Sequence, residues 1–250
     1  MIYQFETEKR DYSDYSSGRV LHHAPGTTAF PVRLGKEIMS RCLAGLRGGS
    51  DLKIYDPCCG GAYWLTMIGF NYGGRVSELY GSDIDEAALD HARRNLGLLT
   101  AEGLSARKES LRRDRERYGK DSHREALESA ERLERTDRSA IRTTSCFAFD
   151  IAGAAAPPIA NVNIVIADLP YGQMTSWGSG AENPVRRMLG NLHPVLDPED
   201  SIVAIVCDKK QRAEHEAFER KGTMNHGKRK ISFLRPLYRD RPVQDACIRF

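Results

Sequence analysis

Four aspartates, Asp56, Asp83, Asp150 and Asp168, each follow a short apolar segment: LKIYD, SELYGSD, TTSCFAFD and VNIVIAD. An apolar run such as Val162–Ala167 reads as a strand covered on both faces, and in α/β sheets ligands gather at the carboxyl ends of such strands. Asp168 stands at that edge and is followed at once by Leu169, Pro170, Tyr171 and Gly172. A carboxylate, a proline that stiffens the chain, an aromatic ring and a permissive glycine make a site suited to hold something flat.

The stretch YDPCCGGAYWL carries the second set of candidates, Asp56, Cys58, Gly60 and Gly61. An acid closes a strand there, and two glycines let the backbone pass close to a ligand before a helix opens. The G-x-G-x-x-G spacing of a dinucleotide site and the Gly-Lys-Ser/Thr of a P-loop are both missing, so the turn suits a ligand without phosphates. Asp83, 27 residues after Asp56, can accept both hydroxyls of a ribose, Ile84 can lie on an adenine face, and Asp150 can accept from an adenine amino group. S-adenosylmethionine requires this set. One strand-end aspartate alone often only caps the following helix; three in order behind a glycine turn say more.

These residues need a scaffold. AFPVRLGKEIMSRCLAGL spaces Val32, Leu34, Ile38, Met39, Cys42, Leu43 and Leu46 as on one helix face, with Pro31 at its start and Gly48-Gly49 at its end. Helices are expected after Gly61 and over EAALDHARRNLGLL, a fifth strand at SIVAIVC, and an antiparallel pair from KISFLRPLY and QDACIRF. Alternation of this kind predicts a doubly wound α/β sheet in a single domain over residues 1–250. Residues 101–140 interrupt it with eleven basic and ten acidic side chains. Their leucines 104, 111, 127 and 133 and closely spaced opposite charges predict one or two exposed helices broken near Tyr118-Gly119. An ion-paired surface insertion is the plainer reading of that segment, and a binding surface the sharper one.

The chain of 250 residues, 40% hydrophobic with a net charge of +3, is long enough for one substantial core. No apolar run reaches bilayer length and the N-terminal segment lacks a signal-peptide pattern, so a cytoplasmic protein without membrane contact is expected. Six cysteines without CxxC or His/Cys spacing favour neither zinc nor a disulfide framework, and Cys58 and Cys59 read as packing thiols. From Lys209 to Arg241 there are eleven Lys/Arg against four acids. Within it, Arg220, Lys221, Lys228, Arg229 and Lys230 are expected to form a phosphate-facing patch on a loop permitted by Gly222 and Gly227. A solvated surface explains the same charges. His22-His23 and the following loop are placed to cover the cofactor, and Trp177 to stack or to pack.

On the motifs DPCCGGA, GSDID, AFD and DLPY the chain resembles the class I S-adenosylmethionine-dependent methyltransferases over nearly all its length except 101–140. More closely, it resembles the 23S ribosomal RNA guanine methyltransferases of avilamycin resistance. The resemblance implies a seven-stranded, mostly parallel Rossmann-like sheet with a reversed last strand, S-adenosylmethionine as cofactor, a ribosomal RNA guanine as substrate, within 23S RNA or the large subunit, and resistance to an orthosomycin antibiotic. A monomer is expected. Two positions depart from the usual motifs: Leu169 replaces a proline, and Ala62 replaces a glycine. In this reading Asp168 and the Leu169 carbonyl accept the hydrogens of an exocyclic amine, turning its lone pair toward the methyl, while Pro170 fixes the turn and Tyr171 stacks on the extruded base. The same chemistry serves adenine in nucleic acid or a protein glutamine, and a non-catalytic RNA-binding module is a further alternative.

Overall fold

The structure is a computed structural model in which residues 3–23, 30–169 and 183–238 are described. Its elements in chain order are α1 (Val32–Gly45), β1 (Leu52–Asp56), α2 (Tyr63–Tyr72), β2 (Val76–Asp83), α3 (Glu86–Gly97), α4 (Ala101–Tyr118), α5 (Asp121–Glu134), β3 (Thr143–Ala148), β4 (Ile164–Asp168), α6 (Pro184–Leu192), β5 (Ile202–Asp208), β6 (Phe218–His226) and β7 (Arg229–Pro236). The strands form one seven-stranded sheet in the order β3-β2-β1-β4-β5-β7-β6. The first five pair in parallel, and β7 runs antiparallel to both its neighbours. None of the helices among the described residues is long and apolar enough to cross a membrane.

Period-two alternation divides the core into two layers. Ile54, Ile164, Ile166, Ala204, Val206 and Ile231 face the side covered by α1, α2 and α3, whereas Tyr55, Val165, Ala167, Val203 and Ile205 face α6 through Val185, Met188, Leu189 and Leu192. The central strands β1, β4 and β5 are therefore apolar on both faces, which is why they read in the sequence as continuous apolar runs.

The charged insertion folds as two helices separated at Gly119, whose φ of +62° continues the chain where a Cβ would be strained. It is not simply exposed. Leu104, Leu111, Ala126, Leu127, Ala130 and Leu133 are buried in the main core. Some of the opposite charges pair within it, as in Lys108–Glu134 and Arg124–Glu128. Others tie down the N-terminal segment: Arg107 donates through Nε to the Val20 carbonyl and through a terminal nitrogen to that of Arg19 (both 3.0 Å), and Arg132 pairs with Asp14 at 2.7 Å.

The closing antiparallel pair differs from the sequence expectation. The partner of β7 is β6, the segment read as a basic loop, and QDACIRF lies outside the described residues. Gly227 and Lys228 form a two-residue hairpin connection with Gly227 at φ +58°. Gly222 follows a register shift between Arg220 and Gly222, a bulge that accommodates glycine inside a strand. Glycine punctuation marked a turn at one of the two positions only.

A second N-terminal anchor is Glu37 on α1, fully buried. Its carboxylate accepts from the backbone N–H groups of Gln4, Phe5 and Glu6, each at 2.9 Å, and from Arg41 Nε at 2.7 Å. Burial alone would raise its pKa, but these donors outweigh it and hold the carboxyl below its ordinary value. Because the folded pKa is the lower one, this contribution is complete above the unfolded pKa and disappears as pH falls through the folded value. Glu37→Ala should destabilise by roughly 3 kcal/mol at pH 7, the scale of breaking a buried ion pair. Urea titrations should show that difference shrinking toward pH 3; a cost independent of pH would mean that packing, not the carboxylate, anchors the segment.

Candidate active site

Asp56, Asp83 and Asp168 are the last residues of β1, β2 and β4, which lie side by side, and Asp150 stands just beyond β3. Between β1 and β4 the strand order reverses direction, the position at which open α/β sheets form their crevice. The fold thus brings all four sequence candidates to one edge. Asp56 is only 4% exposed. Burial, with Asp83 and Asp168 nearby, pushes its pKa well above the ordinary carboxylate value although its Oδ1 accepts from the Cys58 amide at 3.0 Å. Burial, followed by the charges of all four acids, raises the Cys58 thiol. That makes it a poor nucleophile and leaves it a packing group in the turn.

The turn itself is held from both sides. Gly60, at φ +49°, donates its amide to Asp83 Oδ2 at 2.8 Å, while Asp83 Oδ1 accepts from the Asp85 amide at 3.1 Å. Asp83 therefore fixes the glycine turn as well as facing the crevice. The Cys59 amide bonds to the Ser82 carbonyl at 2.9 Å, and Ser82 Oγ meets the Tyr55 hydroxyl at 2.6 Å. Ala62 caps α2 at φ +52°. The backbone keeps the left-handed conformation that glycine would adopt freely, at a cost of about 1 kcal/mol for the added Cβ. Ile84, directly after Asp83, is 49% exposed, an apolar side chain presented at the crevice. Asp150 Oδ1 accepts from the Ala152 amide at 2.9 Å.

Asn95 is a residue the sequence reading missed. From α3 its Nδ2 donates to the carbonyls of Gly61 (2.8 Å) and His22 (3.0 Å), and its Oδ1 accepts from the His22 amide at 2.7 Å. It joins the glycine turn to the strap at His22, behind which Arg107 holds residues 19 and 20. The available signal was a lone amide on the apolar face of EAALDHARRNLGLL. Burial, then the charges of Arg107, Arg94 and His91, lowers the His22 pKa to about 4, so the ring stays neutral at physiological pH.

Asp168 is half-buried, but its Oδ1 is shut off from solvent and has no hydrogen-bond partner among the described residues. Burial raises its pKa to about 6 against a smaller opposing pull from Arg229. The Leu169 amide continues the ladder to the Val206 carbonyl at 2.9 Å, but the next amide, that of Asp208, donates to the Gln211 side chain at 3.1 Å, so the ladder ends at Leu169. Pro170, Tyr171 and Trp177 lie outside the described residues.

The five basic residues do not act alike. They sit on the β6–β7 hairpin rather than on a loop. Arg220 pairs with Glu214 and Lys221 with Glu219, both at 2.8 Å. Lys228 is exposed at the connection and Lys230 half-buried on β7. Arg229 is directed inward, with its Cζ 5.7 Å from the Phe30 ring centre.

A parallel sheet with a reversed β7, a glycine turn after β1, and acids closing β1, β2 and β4 define a class I S-adenosylmethionine-dependent methyltransferase. Residues 1–229 match the family model described as "RRNA methyltransferase AviRa", and the chain belongs to that family. It is 40% identical over 214 residues, covering 81% of this chain and 84% of the relative, to the 23S rRNA (guanine(2535)-N(1))-methyltransferase of Streptomyces viridochromogenes. A solved structure of rRNA methyltransferase AviRa from the same organism superposes with a TM-score of 0.81 at 33% identity, covering 94% of this chain and 96% of that one. TrmN from Thermus thermophilus, at a TM-score of 0.53 and 17% identity over 86% of this chain and 51% of its own, shares the fold alone.

Proposed function

We propose that this protein transfers a methyl group from S-adenosylmethionine to ring nitrogen N1 of a guanine in 23S ribosomal RNA. The observation that carries this reading is Asp168: a half-buried carboxyl with one enclosed, orphaned oxygen and a pKa near 6, at the strand-order reversal of a chain in the ribosomal RNA methyltransferase family. DLPY led to the exocyclic amine as acceptor; the curated relative is named for the neighbouring N1. Both lie on the Watson–Crick edge of guanine. The two atoms ask different things of Asp168. N1 carries a proton whose removal exposes a lone pair in the ring plane, so Asp168 serves as proton acceptor rather than only as an orienting partner.

The residues present fit the cofactor. Asp83 has lone pairs left for a ribose diol after holding Gly60, exposed Ile84 would cover adenine, and Asp150 would accept its amino group. Gly60 and Gly61 permit close backbone approach, and the acidic edge that includes Asp56 balances the positive charges of an ammonium and a sulfonium. When bound, S-adenosylmethionine supplies an electrophilic methyl on that sulfonium. Tyr171 would stack on the extruded base, contributing about 1–3 kcal/mol toward the cost of unstacking it. Lys228 and Lys230 are the members of the predicted patch best placed to meet phosphate. A cytoplasmic monomer acting on the large subunit or its RNA, with resistance to an orthosomycin antibiotic as the outcome, completes the reading.

The test is transfer of labelled methyl to ribosomes, isolated ribosomal RNA, DNA and protein, followed by primer extension on the labelled RNA. A methyl at N1 blocks base pairing, so label in 23S RNA with a strong stop at one guanine is expected. Label there with read-through would return the exocyclic amine as the acceptor. Label only in adenine or protein, or none at all, would favour the alternatives of another substrate or a non-catalytic module.

A further inference from the structure

We propose that Arg229 is a catalytic residue that donates to O6 of the target guanine and stabilises the anion left when N1 loses its proton, which makes the site select guanine over adenine. This rests on the N1 reading above.

The placement comes from the sheet register. Asp168 lies beside Val206, and Val206 beside Ile231. Arg229 is two residues from Ile231, so alternation puts it on the same face as Ile231 and Phe233, and its partner Asp208 ends β5 at the same sheet edge as Asp168. There the guanidinium packs over Phe30, and Phe30 stacks flat on Trp64 with ring centres 4.1 Å apart and planes 4° from parallel. Trp64 belongs to the first turn of α2, directly behind the cofactor turn. One side of the guanidinium is thus covered by an aromatic ledge, and the charge of Arg229 is felt at Asp168 along the same edge of the sheet. Contact with phosphate alone asks only for an exposed, flexible cation, which the adjacent Lys228 already provides. An arginine seated on a ring and half-buried is desolvated and oriented, the condition under which a positive group stabilises developing charge strongly.

An acceptor at Asp168 opposite a donor at Arg229 complements guanine, which offers N1–H as a donor and O6 as an acceptor. Adenine presents the reverse, an amino donor at position 6 and an unprotonated N1. In the reaction the N1 proton passes to the Asp168 carboxylate, and the negative charge delocalises onto O6 against Arg229. The N1 electron pair then forms the bond to the methyl carbon while the carbon–sulfur pair returns to sulfur, leaving a neutral thioether. Adenine would meet a guanidinium aimed at its amino hydrogens, leaving a buried donor unpaired.

Single-turnover methyl transfer at saturating RNA and S-adenosylmethionine tests this with Arg229→Ala and Arg229→Lys, beside Lys228→Ala as the phosphate-contact comparison. Arg229→Ala should lower the rate at pH 7 by roughly a hundredfold, the scale of losing one charge-stabilising donor. The deficit should narrow between pH 7 and pH 9, because alkali assists the deprotonation that Arg229 no longer supports. Arg229→Lys, a point charge without the planar fork, should fall between parent and alanine variant and show the same narrowing; it keeps the test decisive if the alanine variant fails to bind S-adenosylmethionine. Lys228→Ala should instead weaken RNA binding and flatten its log–log salt dependence by about 0.7–0.9. Arg229 variants that lose RNA affinity and salt slope but keep the parental rate at saturation, or show a deficit equal at every pH, would overturn the proposal. Primer extension on the parent's product separates the two layers: a methyl at an atom other than N1 removes the base reading and this inference together, whereas an N1 methyl with active Arg229→Ala removes the inference alone.

Discussion

Asp168→Asn should lose methyl transfer by roughly a hundred- to a thousandfold while S-adenosylmethionine affinity is retained, since the amide keeps the shape of the carboxyl but cannot take a proton. The same variant should be more stable than the parent at alkaline pH. Burial raises the Asp168 pKa from about 3.8 to about 6, so the folded state prefers the protonated form. The cost of ionising it appears as pH rises above the unfolded pKa and is complete once the folded pKa is passed. That cost is on the order of 2–3 kcal/mol. Thermal melts should therefore favour Asp168→Asn most at pH 8, with the gap narrowing toward pH 5. Parental activity in this variant would remove proton transfer at Asp168 from the mechanism; a lower melting temperature at every pH would show that the carboxylate supports the fold.

Gly61→Arg should abolish detectable cofactor binding in calorimetry. Gly61 lies between Gly60, whose amide is fixed by Asp83, and Ala62, already left-handed, and its carbonyl is held by Asn95. With its backbone restrained at three neighbouring points, the turn cannot move aside, and a long side chain at this position would occupy the space the cofactor needs. A loss of at least about two orders of magnitude in affinity is expected, the scale of forfeiting some 3 kcal/mol of binding. Far- and near-ultraviolet circular dichroism matching the parent would place the loss at the site; unchanged affinity would move the cofactor away from this turn.

Much of this site could be read locally. LKIYD and VNIVIAD are largely apolar because their strands are covered on both faces, and they, like SELYGSD, end in an acid because the crevice forms at that edge of the sheet. The Gly60-Gly61 turn was visible for a similar reason, since a backbone that must approach a ligand closely excludes side chains. The insertion was legible as one or two helices with a break near Gly119, because helical period and glycine are local signals. Its burial was not, because Leu104 and Leu133 reveal an apolar stripe without saying what it packs against.

By itself, then, the sequence determined the alternation of elements, the acids at the strand ends, the glycine turn and the family these motifs define, all of which depend on residues close together in the chain. The tertiary structure alone decided the rest. Gly222 reads as a loop residue until β7 is found beside it, when it becomes part of a bulged strand. Lys228 and Arg229 are neighbours of like charge in the sequence, yet pairing of β7 with β5 leaves the lysine in the connection and sets the arginine over Phe30, where its charge is felt at Asp168. Asn95 becomes a clamp only when α3 packs behind the glycine turn and against the strap. The physical reason is the same in each case: side-chain direction follows strand register and helix packing, and these are set by partners tens to hundreds of residues away, which spacing along the chain does not encode.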